Sequence, residues 1–170
     1  MVRQQTIFFI IIYLAAIILA NLSVFWFGPI STPINAFLLI GLDLTMRDKL
    51  HDDWKGKNLW LKMFLLILSG SFLTFLLNQN TFKIAFASSV AFTCAGLMDA
   101  IVYTLLLKKR FLIRSNGSNV AGAVTDSILF PTLAFGVLLP WIIIGQFLAK
   151  ISGGFLWSLI LNKRRSTAPR

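Results

Sequence analysis

Glutamate is missing from this chain of 170 residues, and charge of any kind is scarce. Charged residues make up 13% of it, against about a quarter in an ordinary soluble domain, while 57% are hydrophobic. That balance excludes a conventional water-soluble fold and points to a bilayer. There is one cysteine, Cys94, and it lies in an apolar segment, so no internal disulfide can form. With a single histidine besides, His51, the chain has too few soft ligands for a protein metal site, and no metal or cofactor is expected. It also lacks a Walker A motif and a Gly-x-Ser-x-Gly nucleophile turn, so neither an ATPase nor a serine hydrolase is indicated, and the expectation is a non-enzyme.

What the chain does have is long apolar runs. They fall at about Thr6–Phe27, Pro33–Met46, Leu59–Leu77, Phe82–Leu107, Asn119–Val137 and Leu138–Leu161. Most reach the ~20 residues that cross a bilayer. The first run exceeds the roughly 7–15 residues of a signal h-region, and no small-x-small cleavage site follows, so it reads as a retained helix. The expected fold is therefore one all-α integral membrane domain, residues 1–170, with six transmembrane helices.

The net charge of +10 would suit nucleic acid, but its placement argues otherwise. With the N-terminus in the cytoplasm, every Lys and Arg except Lys83 and Lys150 falls on an inner segment. That is a positive-inside pattern, and it sets an N-in/C-in orientation in an inner membrane. Trp26 and Trp141 then mark the outer interface, Trp60 and Trp157 the inner one. The basic residues orient the protein towards lipid; no nucleic-acid partner is expected. A five-span alternative, with Pro33–Met46 re-entrant, moves only Arg3 across. Asn116-Gly117 reads as a turn in an inner loop.

Against this background four ionisable residues stand out: Asp43, Asp99, Asp126 and Lys150. A charge in lipid costs about 2.5 kcal/mol or more, so such groups face a bundle interior and mark a pathway or a site. At a rise of ~1.5 Å per residue Asp43 lies roughly 6 Å inside the cytoplasmic edge, and Asp99 and Asp126 about 10–14 Å, with Lys150 near mid-membrane. Ala87, Ala91, Ala95 and Asp99 recur every four residues, with Tyr103 next, a small-residue stripe suited to a close helix contact. Asn119, Gly122 and Asp126 share a helix face, as do Asn35, Leu39 and Asp43. Gly145, Ala149 and Gly153 form another small stripe beside Lys150.

Pro131 frees the carbonyl of Ser127, and the second span is short and opens with Pro33. Interrupted helices at matching places in two halves suggest a 3+3 inverted repeat with a site between them. Asp43 has a second reading, an ion pair with Arg47, and either Asp99 or Asp126 could pair with Lys150. Of the two roles open to Lys150, contact with a solute is favoured over a structural pair, because three acids share one lysine.

The segments ANLSVFWFGP, INAFLLIGLDLTMRDKLHD, ASSVAFTCAGLMDAIVY and NGSNVAGAVTDSILFPTLAFG resemble the VUT family of small membrane proteins. That family includes bacterial queuosine-precursor transporters, and the resemblance covers nearly the whole chain. It implies uptake of 7-cyano- or 7-aminomethyl-7-deazaguanine, a small purine-like base, across the inner membrane. In the family's pattern an acidic residue follows the sixth-helix lysine by a turn; here Gly153-Gly154 stand there. A guanine-type base offers adjacent N–H and NH₂ donors, and a carboxylate can accept both. The expected substrate-binding set is Asn35, Asp43, Asp99, Tyr103, Asn119, Asp126 and Lys150, with Tyr103 or a phenylalanine stacking on the base. Asp43 is then a wall of the site or a latch to Arg47. Two competing readings are a substrate-capturing subunit of a multi-component vitamin importer, with Ala16-x-x-x-Ala20 as a docking stripe, and an intramembrane aspartyl protease, whose Gly-x-Gly-Asp form is missing. A homo-oligomer is a further possible assembly.

Overall fold

The computed structural model describes residues 2–43, 46, 50, 53–54, 58–106, 108–109 and 111–166, with side chains outside 2–3, 111–112, 114–116 and 158–166. Every regular element among them is helical. Helix α1 is Val2–Phe27. It stops at Gly28, whose φ of +67° a side chain would resist, and Gly28–Ser31 forms a 3-10 turn closed by Ser31 Oγ donating to the Gly28 carbonyl at 2.8 Å. Helix α2 follows over residues 32–43. Its middle, Ala36–Ile40, is widened into a π-helical turn in which Gly41 N–H reaches the Ala36 carbonyl. Helices α3 (Leu59–Leu77), α4 (Phe82–Leu105), α5 (Phe111–Phe135) and α6 (Pro140–Ser166) complete the bundle.

Three tight turns, Gly28–Ser31, Gln79–Thr81 and residues 136–139, gather at one end of the molecule. Gly136, with φ +77°, ends α5 and lies beside Lys83 at the start of α4. The opposite end holds the start of α1, the end of α4, the start of α5 and the end of α6.

Three stretches are long and apolar enough to cross a membrane: Gln4–Asp43, Leu59–Leu77 and Gln79–Leu105. The first is 40 residues, which as one rod would run ~60 Å. It is instead a hairpin, because Asn35 Nδ2 donates to the Ala20 carbonyl at 3.3 Å and Asn35 exchanges hydrogen bonds with Ser23. Further on, Thr6 Oγ1 donates to Asp53 at 2.9 Å. Thr6 is 21 residues from the end of α1, about 31 Å, so Asp53 lies near the far end of α1 from the hairpin turn.

The outer surface is apolar, with Phe8, Trp26, Phe72, Leu105 and Phe155 each more than half exposed. In water such a surface would aggregate; around a bundle with polar groups inside, it is the lipid-facing side of a multi-pass membrane protein. Inside, Tyr13, Ile17, Met46, Leu50, Leu66, Ile67 and Phe92 form the core. Gly70 lets α3 close on Ile17. Ala87, Ala91 and Ala95 are buried, and Gly122 of α5 meets the Ala95 carbonyl across that alanine stripe. Ala16 and Ala20 are also buried inside the bundle, so the expected docking stripe is not on the surface. They share the α1 face of Tyr13, Ile17 and Val24, which the other helices cover.

Helices α2 and α6 approach closely enough to need glycine on both. A Cβ on Gly153 would collide with the Phe37 carbonyl, and one on Gly41 would come within 2.7 Å of Gly153 backbone. The π-helical turn leaves the Leu38 carbonyl open to the Trp157 indole, which donates to it at 2.9 Å. The Gly145–Gly153 stripe thus packs α6 on the irregular part of α2, with Gly145 against Pro33.

One boundary differs from the sequence reading. The fifth span was expected to begin at Asn119 after a turn at Asn116-Gly117, but α5 begins at Phe111 and passes through Gly117. The glycine serves packing here, since a Cβ on it would lie 2.9 Å from the Leu106 side chain. This moves Asp126 to fifteen residues from the start of α5 and nine from its end at Phe135, about 14 Å from the tight-turn end. Asp99, six residues from Leu105, sits about 9 Å from the other end. The common depth expected for Asp99 and Asp126 is therefore not found.

Candidate functional site

Lys150 lies on α6 ten residues after Pro140, level with Asp126 on α5. It is 3% exposed, and such a cation needs partners on every N–H. It has them. Nζ meets Asp126 Oδ2 at 2.6 Å, Ser127 Oγ at 3.0 Å and Gln146 Oε1 at 3.1 Å. An ammonium has three donors, so Lys150 is saturated. Two of these acceptors come from successive residues of α5, just before Pro131 removes the N–H that would have bonded the Ser127 carbonyl. The third comes from one turn earlier on α6 itself.

This cluster forms one wall of a cavity of about 30 Å³, room for about two waters. Its other polar wall groups are Asn21, Thr32, Asn35 and Ser88. Phe92 of α4 and Phe130 of α5 supply aromatic surface, and Ala36 and Ile40 bring the π-helical turn of α2 to the same space. The π-helical turn of α2, in the span the sequence marks by its shortness and Pro33, and the α5 turn beside Pro131 therefore meet at one cavity. Asn21 also ties α1 to α3 through Thr74 at 3.4 Å.

The seven expected binding residues divide. Asn35, Asp126 and Lys150 line the cavity. Asn35 already uses its amide to bond Ser23 and the Ala20 carbonyl, so it braces the α1–α2 hairpin. Asp43 is buried at 2% exposure but is not part of the cavity wall, and Arg47, its other expected partner, lies outside the described residues. Asp99 and Tyr103 are half-buried beyond the cavity on α4. Asp99 packs beside Gly122, with its Oδ1 buried and without a hydrogen bond. Asn119 is exposed. The covered side of α5 drifts from Ser118–Gly122 at one end to Asp126–Ser127–Pro131 at the other, so a residue seven before Asp126 falls outside it.

Sequence reasoning missed Gln146, Ser127 and Ser88. Gln146 had a visible signal, since it precedes Lys150 by four residues and shares its face. Ser88 had none, because hydroxyls are common in membrane helices and bond their own backbone, as Thr93 and Thr104 do here. Among the described residues, no cluster of three or more metal-ligating side chains forms.

A helical bundle with an apolar exterior and a buried, charge-paired cavity between irregular helices is the architecture of a membrane transporter. The chain belongs to the putative vitamin uptake transporter family, whose sequence pattern matches residues 3–161. No curated protein and no solved structure matches it.

Proposed function

We propose that this transporter imports a queuosine precursor base, 7-cyano- or 7-aminomethyl-7-deazaguanine, across a bacterial inner membrane. The observation that carries the reading is the Asp126–Lys150–Gln146 cluster in the wall of a cavity that also presents Phe92 and Phe130. Asp126 meets Lys150 through Oδ2, and a carboxylate has lone pairs enough to accept from a guanine-type edge as well. Lys150 Nζ holds that carboxylate in place through Oδ2, and the phenylalanine faces suit a flat ring. The resemblance of the quoted segments to queuosine-precursor transporters supports the choice of base.

The route is a six-crossing bundle with both termini in the cytoplasm. The one-sided Lys and Arg placement supports it, as does the Thr6–Asp53 contact, which puts Asp53 at the N-terminal end of α1. A cavity of about 30 Å³ is too small for a two-ring base, so the form described is occluded. Opening requires the helices around it to part, and the π-helical turn and Pro131 are where they yield most easily.

The test is rescue of queuosine-modified tRNA in a strain lacking its own precursor uptake, with each base supplied separately. Restored modification with either base, lost in the Asp126→Asn variant, supports the proposal. Full expression in the membrane with no rescue by either base refutes it. The alternative, a capture subunit of a multi-component importer, has lost its candidate docking stripe to the bundle interior. Uptake that depends on an added ATPase partner would restore it.

A further inference from the structure

Lys150 donates to Gln146 Oε1 at 3.1 Å, and an ammonium can only donate, which fixes the amide's orientation. The nitrogen therefore points away from Lys150 with two N–H donors to place. Gln146 is 2% exposed, and its Nε2 is buried without a hydrogen bond. Native proteins leave few such groups, and each is destabilising unless something else occupies it. Ser71 Oγ and Asp99 Oδ1 are also buried without hydrogen bonds, but neither residue lines the cavity; Gln146 does.

We infer that Gln146 Nε2 is the selecting donor of the site: it takes a hydrogen-bond acceptor of the solute once the cavity opens to admit it. Its neighbour through Lys150 is Asp126, which only accepts. A donor beside an acceptor matches a ring N–H next to a ring carbonyl, the edge of a cyclic amide. The solute class is therefore a flat heterocycle with a lactam edge, with Asp126 accepting from the N–H and Gln146 donating to the C=O. This rests on the cavity being the transport site, as proposed above, and does not need the base to be a deazaguanine. Lys150 acts through the other two, holding the carboxylate in place and the amide turned.

The experiment uses purified full-length protein and matched ligands that differ only in the carbonyl. The pairs are 7-cyano-7-deazaguanine with its 6-thio analogue, guanine with 6-thioguanine, and hypoxanthine with 6-mercaptopurine, each of which keeps the ring N–H and exchanges the carbonyl oxygen for sulfur, a poor acceptor. Binding is read by competition or thermal stabilisation. Wild type should favour the carbonyl form of at least one pair by about 10-fold, the effect of a buried donor left facing a poor acceptor. Gln146→Met should bring that ratio close to one. Gln146→Glu keeps an acceptor for Lys150 while losing the donor, so it serves where the Met variant does not accumulate, and it should also lose the preference.

If the deazaguanine pair does not bind but guanine or hypoxanthine shows the carbonyl preference, the choice of base above fails and the role of Gln146 stands. If wild type binds both members of each pair equally, or if a folded Gln146 variant keeps the full preference, the role of Gln146 is overturned. Binding of no pair at all overturns both.

Discussion

Replacing Lys150 by methionine keeps the length of the side chain and removes its charge. In the structure this takes one ion pair and two further hydrogen bonds from the bundle centre and leaves the Asp126 carboxylate, 6% exposed, without its cation. Breaking a buried pair in this way costs about 3–5 kcal/mol, two to three and a half decades in the folded ratio. Membrane abundance of Lys150→Met should therefore fall steeply. Adding Asp126→Asn removes the stranded charge and should return most of it. The remaining deficit is that of Ser127 and Gln146 without their donor, about 1 kcal/mol each. Asp99→Asn added instead should return nothing, because Asp99 lies outside the cavity and about a third of the helix away from Lys150's level. Quantitative blotting of the folded membrane fraction, with uptake measured in parallel, reads all four forms. Wild-type abundance of Lys150→Met, or equal rescue by the Asp99 change, would refute this account of the pair. The double variant with Asp126→Asn should recover abundance and not transport, since the carboxylate is gone.

Other expectations follow from particular contacts. Gly153→Ala should destabilise the α2–α6 crossing by about 1–3 kcal/mol, because its Cβ falls on the Phe37 carbonyl, whereas Gly154→Ala, with open space around it, should be neutral or slightly stabilising; thermal unfolding of the two in detergent separates them. Asp126→Asn leaves Lys150 an amide oxygen but strands its charge, so uptake should fall by more than membrane abundance does, and Asp99→Asn should reduce uptake per folded protein less, a ranking that equal losses in a transport assay would overturn. Reporter fusions after Gln5 and after Arg170 should both report cytoplasm; a periplasmic signal at the N-terminus would replace the second crossing by a re-entrant segment.

How much of this was legible beforehand depends on whether a feature is local. The third run, Leu59–Leu77, is the helix the sequence indicates to the residue, because apolar length between polar ends is itself the physical cause of a membrane helix. The alanine stripe was legible for the same reason: small side chains at a four-residue repeat can only be a close-packing face, and Gly122 meets it. Asn116-Gly117 misled, since a glycine needed where Leu106 comes close looks in sequence like a glycine needed for a turn. Asn119 misled because a shared helical face counts only where a neighbour covers it.

Composition and charge placement by themselves determined that the chain is helical, lies in a membrane and hides a few ionisable groups, because burying charge in lipid is too costly to occur by accident. They could not determine which acid meets Lys150, since Asp99 and Asp126 are equivalent in a list of spans. That was decided by the axial offset between α4, α5 and α6 and by the backbone crossing at Gly41 and Gly153, which draws α2 and its widened turn against α6. These packing choices place Asp126, Ser127 and Gln146 around one ammonium. They leave the Gln146 nitrogen unmet at the cavity wall, a consequence of three-dimensional saturation that no residue spacing contains.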